Sequence, residues 1–271
     1  MFALLRNPTW LASVGIIVVG GCLHAVALAL APISIVQPIG VLAIPFAVLI
    51  ASRRLRQKPG AGVISALTIT MLAVLAFVLA AASDGDNAAT VDAAEVAWSA
   101  LGIAVLAAFL ALAGTLGPKW LRCAAWASAG AVVYGLASAL LRTDMMLVAQ
   151  HGPIHLHVAA YTAAVLTGFA IGGWFVQHAH ANGPPAVVLG SLTVVDPIVA
   201  VVFGLAFLGE GAHLSPIHLT VMTLSAVVAA SGVLLLSRHH PEALPEVPTE
   251  SPALHRSSTS AGSVQREEHT P

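Results

Sequence analysis

Residues 186–208 read A-V-V-L-G-S-L-T-V-V-D-P-I-V-A-V-V-F-G-L-A-F-L, 23 positions with one charge, Asp196, followed at once by Pro197. A run of that length and polarity crosses a bilayer as a helix, which needs about 20 apolar residues. It is too long for a strand and shows no alternation of period two. Every backbone polar group in hydrocarbon must be satisfied within its own segment, so a helix is the form that fits. The fold class follows from finding seven more such runs.

Apolar segments fall at about 10–30, 33–51, 61–82, 96–115, 122–141, 158–180, 186–208 and 217–237. Short polar or breaker-rich stretches separate them: Arg53-Arg54-Leu55-Arg56-Gln57-Lys58-Pro59, Asp84-Gly85-Asp86-Asn87, Gly117-Pro118-Lys119 and Asn182-Gly183-Pro184-Pro185. The composition agrees. Hydrophobic residues make up 58% of the 271 and charged ones 8%, with a mean hydropathy of +0.91. Soluble domains carry about 25% charged residues, so a water-soluble enzyme is excluded. The expectation is an all-α polytopic membrane protein of eight transmembrane helices.

Lys and Arg set the orientation. With the start of the first segment cytoplasmic, that side holds Arg6, Arg53, Arg54, Arg56, Lys58, Lys119, Arg122, Arg238, Arg256 and Arg266, and the other side only Arg142. Asp84, Asp86, Asp92, Glu95, Asp144 and Glu210 collect on the outer side. The reading places the protein in the cell membrane with a cytoplasmic C-terminus, and residues 238–271, rich in Pro, Ser, Thr, Glu and His, as a disordered tail. Cys22 and Cys123 are too few for a disulfide framework.

Displacing the chain by 152 residues lays the first three segments on the last three without a gap. Gly20-Gly21 meets Gly172-Gly173, Pro32 meets Pro184 and Pro45 meets Pro197. Each segment lies five segments from its mate, an odd number, so the two units cross the membrane in opposite directions. Inverted-topology repeats are a transporter signature, with the solute path at the repeat interface near the midplane. The domains are then residues 1–83 (first repeat), 84–121 (connecting helix) and 122–237 (second repeat). The segment at 122–141 has no counterpart in the first repeat; its equivalent is expected upstream of Met1.

Leu5-Arg6-Asn7-Pro8-Thr9-Trp10-Leu11-Ala12, Ala29-Leu30-Ala31-Pro32 and Val36-Gln37-Pro38-Ile39-Gly40 resemble the first half of bacterial members of the drug/metabolite transporter (EamA-like) superfamily, and are similar to its NIPA-type magnesium branch. Asp196-Pro197-Ile198-Val199-Ala200, Gly204 and Leu208-Gly209-Glu210 are similar to the superfamily's penultimate helix, and Gly232 fits the glycine of its last one. The resemblance covers residues 5–238 and implies transport of a small solute, or of a divalent cation in the magnesium branch. Its members usually have nine or ten helices, so this chain departs at the N-terminus.

Asp196 is the one acidic residue inside these segments, and a charge at the bilayer centre costs from about 2.5 to over 10 kcal/mol. It is read as a coupling or cation-binding carboxylate, with an interhelical hydrogen bond as the structural alternative. Gln37, seven residues before Ile44, the repeat mate of Asp196, and Thr193, three before Asp196, are candidates for the same path. His24 is a candidate proton relay or a helix-bridging histidine. Pro38, Pro45 and Pro197 are read as helix breaks or hinges, and Gly20, Gly21, Gly172 and Gly173 as points of close helix packing. His151, His155 and His157, like His178 and His180, read as solvated rather than as a metal site, since no fourth ligand is apparent. No catalytic constellation or phosphate loop is present, so no enzyme, cofactor or metal is expected. The expected partners are the bilayer, a small-molecule or cation substrate and a second copy of the chain in a homodimer, not nucleic acid. A non-transporting membrane scaffold is the remaining alternative.

Overall fold

A computed structural model describes residues 8–54, 60–82 and 92–238. Among them lie nine α-helices and no strand: α1 (Pro8–Leu30), α2 (Ile33–Val41), α3 (Ala43–Arg54), α4 (Ala61–Ala81), α5 (Ala93–Leu116), α6 (Lys119–His151), α7 (Leu156–Asn182), α8 (Pro185–Phe207) and α9 (Pro216–Arg238). With α2 and α3 counted as one pass, eight spans are long and apolar enough to cross a membrane. Asp84, Asp86 and the tail beyond Arg238 lie outside the described residues, as do Arg6, Arg56 and Lys58.

The second segment is not one helix. Its backbone leaves the helix at Leu42 and restarts at Ala43. Pro45 lacks the N–H that would bond the Val41 carbonyl, and its ring crowds that carbonyl. Pro197 stands in the same repeat position, yet α8 runs through it without interruption. The expected matched breaks are therefore one break and one proline-bearing continuous helix.

α6 is longer than its apolar run. It spans 33 residues, about 50 Å at 1.5 Å per residue, and carries Arg142 and Asp144 within the helix instead of in an outer loop. Its centre is built of small residues, which lets neighbouring backbones come close. A Cβ on Gly130 would lie 2.8 Å from Val176 Cγ2, and one on Gly135 would lie 2.6 Å from the Asp196 carbonyl oxygen. Thus α6 packs directly on α7 and α8, and also on α5 and α1.

α4 pairs with α9. Gly232 of α9 sits where any Cβ would strike Thr70 Oγ1 of α4; Thr70 is fully buried and donates to the Ala66 carbonyl at 2.8 Å. α2 touches both α4 and α8, and α8 touches α9. These four helices close a ring in which repeat mates face one another, α2 with α8 and α4 with α9.

Candidate functional site: a cavity in the four-helix ring

Within that ring lies a cavity of about 470 Å³, inside the 300–1,000 Å³ range of small-molecule sites. α8 lines it with Thr193, Val194, Pro197, Ile198, Val201, Val202 and Leu205, α2 with Pro38 and Val41, and α4 with Val74 and Phe77. α9 adds Met222, Thr223, Ser225 and Ala226 among others. The α8 positions recur at i, i+4 and i+8, which is one face of a helix. Val41 and Thr193 are repeat mates, and each is the residue whose carbonyl faces a proline four positions on (Pro45 and Pro197), so neither receives the usual helical N–H.

Thr193 therefore stands in the cavity wall, its hydroxyl donating to the Leu189 carbonyl at 2.7 Å. Asp196 does not line it. At 100° per residue Asp196 points roughly 150° away from the centre of the lining face. It faces α6 instead, where its own carbonyl meets Gly135. The Tyr134 ring lies 2.7 Å from where a Cβ on Gly172 would be, and its hydroxyl 3.3 Å from one on Gly173. The second Gly-Gly pair thus makes room for an aromatic ring beside the Asp196 position. Asp196 Oδ1 is buried and has no hydrogen-bond partner among the described residues.

Gln37 is 6% exposed, and its Nε2 likewise has no partner. It sits on α2, which packs on α8, so two mate helices in contact each carry an unpaired buried polar atom. The face shared by Gln37 and Ile44 is lost at the Leu42 break, and Ile44 packs instead against Val48, Ala66 and Leu67. His24 is half-buried on α1 and makes no hydrogen bond among the described residues. Gly20 and Gly21 have nothing within 4 Å of a Cβ position. The close packing expected there is absent among the described residues: α1 packs mainly on α6 and α2 and leaves that face open.

A polar cluster at one end of the bundle was hidden by the sequence. Glu210, in the α8–α9 loop, accepts the backbone N–H of Ile33 at 2.7 Å on Oε1 and that of Ser34 at 2.9 Å on Oε2. It therefore caps the N-terminus of α2, whose own preceding residue, Pro32, supplies no side-chain cap. Arg142 Nε lies 3.6 Å from Glu210 Oε1, and Arg142 Nη1 donates to the Leu28 carbonyl at 2.6 Å. Gly204 must lack a side chain, because a Cβ there would strike Ile33 and come within 2.8 Å of Glu210 Oε2. Asp144, only 2% exposed, accepts from the Thr162 hydroxyl at 2.7 Å on Oδ2 and leaves Oδ1 unpaired. The signal for Arg142 and Asp144 was the apolar Met145-Met146-Leu147-Val148 beyond them, which continues the helix past both charges.

At the other end of α6 and α7, Trp126, Trp174, Phe175 and His178 form a ring cluster with centroids 4.3–5.8 Å apart. His151, His155 and His157 stack in sequence with centroids 4.9 and 5.0 Å apart. Among the described residues no group of three or more His, Cys, Asp or Glu side chains is arranged to hold a metal ion.

No family model, no curated protein and no solved structure matches this chain.

Proposed function

We propose that this protein is a secondary transporter that moves a small solute by alternating access, coupled to a proton or another ion through Asp196. The observation that carries the reading is the open-sided cavity lined by two pairs of repeat mates. Transporters built on inverted repeats bind at that interface; here Val41 and Thr193 are matched positions whose carbonyls a proline leaves without a helical N–H, although only the α2–α3 segment is interrupted. Asp196 supports coupling because its buried, orphaned Oδ1 leaves a place for a proton or cation. The resemblance to the drug/metabolite transporter superfamily points the same way. Magnesium asks for an octahedral oxygen set, whereas the polar side chains in this cavity wall are hydroxyls, so an organic solute is the better fit. The cell membrane, with the C-terminus cytoplasmic, is the proposed location on the strength of the Lys and Arg bias.

Flux in proteoliposomes loaded with a pH dye, and separately with a magnesium dye, tests this. Solute-dependent proton movement in the wild type, lost in a folded Asp196→Asn variant, is the expected result. Wild-type flux in Asp196→Asn would refute the coupling role. Magnesium entry without proton movement would replace the organic solute by a cation.

A further inference from the structure

Resting on the transporter reading, the geometry points to a division of labour across α8. We propose that its cavity face binds a neutral, largely apolar organic molecule, and that Asp196 on its α6 face never touches that molecule. Three observations converge. The described side chains of the lining are apolar apart from the hydroxyls of Thr193, Thr223, Ser225 and Ser231, and they include no ionisable group. Thr193, Thr223 and Ser231 already donate to carbonyls of their own helices, at 2.7, 2.8 and 2.8 Å. What they offer a solute is weak acceptor capacity, not a charge. The Val41 and Thr193 carbonyls add acceptors but no charge, too few to repay the desolvation cost of a charged ligand.

The only carboxylate near the middle of α8 is held on the opposite side. Gly135 lies flush against α8 at the Asp196 carbonyl, the Val199 Cβ and the Ala200 nitrogen. Leu192, Val195 and Val199 pack with Trp126, Ala129 and Val133 of α6. For Asp196 to take the place that Thr193 holds in the cavity wall, α8 would have to rotate by about 60° against this seam. Solute and coupling ion are therefore linked through movement of α8 against α6, and the transported class is set by shape and apolar area. The volume admits a molecule of drug size.

The test is equilibrium binding to the purified full chain in lipid nanodiscs, with empty nanodiscs as background. The probes are N-phenyl-1-naphthylamine (neutral, fluorescent in apolar surroundings) and tetraphenylphosphonium, a permanent cation of comparable bulk. Saturable binding of the neutral probe is expected, with a Kd in Asp196→Asn within about twofold of wild type. Tetraphenylphosphonium should not displace it. Ala226→Trp, which fills the cavity, should remove saturable binding, and the competition result on the wild type needs no variant at all. Displacement by the cation in wild type but not in Asp196→Asn would put the carboxylate in the site and overturn the proposal, as would the absence of saturable binding. Binding as expected, with no flux of the same probe in proteoliposomes, would instead overturn the transporter reading.

Discussion

Replacing Glu210 by Ala removes the cap of α2 and half of an ion pair in one step. The carboxylate accepts two backbone N–H groups, at 2.7 and 2.9 Å, and its side chain is 6% exposed beside an Arg142 that is 15% exposed. Hydrogen bonds to a charged group contribute about 1.5–3 kcal/mol each, and removing one partner of a buried pair costs about 3–5 kcal/mol. These terms overlap because they share one carboxylate, so about 3–5 kcal/mol is the expected loss for Glu210→Ala. Glu210→Gln keeps one acceptor oxygen for the helix start and should lose about 1–2 kcal/mol, the scale of a cap and its charge. Arg142→Met leaves both N–H bonds to Glu210 intact and should also cost less than Glu210→Ala. Unfolding in mixed micelles gives the order of stabilities, and amide exchange localises the effect. Ile33 and Ser34 should exchange at least about tenfold faster in Glu210→Ala, since 1.4 kcal/mol is a factor of ten, and near the wild-type rate in Arg142→Met. A Glu210→Ala loss under about 0.5 kcal/mol, the range of a neutral surface change, would refute the capping argument. So would an Arg142→Met loss larger than that of Glu210→Ala.

Other substitutions probe the packing. Gly135→Ala places a Cβ 2.6 Å from the Asp196 carbonyl oxygen and 2.9 Å from Val199 Cβ, so it should destabilise by about 1–3 kcal/mol, read as a lowered unfolding midpoint. Gly20→Ala, with nothing within 4 Å, should be neutral or gain up to about 1 kcal/mol from helix propensity, in contrast to Gly172→Ala, which meets Tyr134; equal midpoints for these two would contradict the asymmetry between α1 and α7. Thr162→Val deprives Asp144 of its one donor and should cost about 1–3 kcal/mol, with Thr162→Ser restoring stability because it keeps the hydroxyl.

The helices and their number were legible because a bilayer enforces length and polarity together. Residues 186–208 needed nothing but composition to be read as a span, and α8 occupies Pro185–Phe207. The break at Leu42 and the continuity at Pro197 were not legible, because proline removes one hydrogen bond in both places and packing decides whether the helix yields. Thr193 is a candidate for the path in sequence because it lies three residues before Asp196, and it lines the cavity. Asp196 is not in the cavity lining, because a spacing of three residues still turns a side chain by about 60° on a helix, enough to carry it over the edge onto α6. Arg142 and Asp144 were read as loop charges since they end an apolar run; burial beside Glu210, the Leu28 carbonyl and Thr162 is a tertiary fact. Glu210 itself marked the end of a segment in sequence, while its partners Ile33 and Ser34 lie 177 and 176 residues away. Separations of that order leave no local trace.

Alternating access is the central claim, and side-specific labelling of the cavity wall tests it most directly. A single cysteine at Thr193, in a chain with Cys22→Ser and Cys123→Ala, would be treated in proteoliposomes with a membrane-impermeant maleimide from one side at a time. The account predicts reaction from both sides, with a saturating transported solute raising one rate and lowering the other. Reaction from one side alone under every condition, or two rates that solute leaves unchanged, would contradict it.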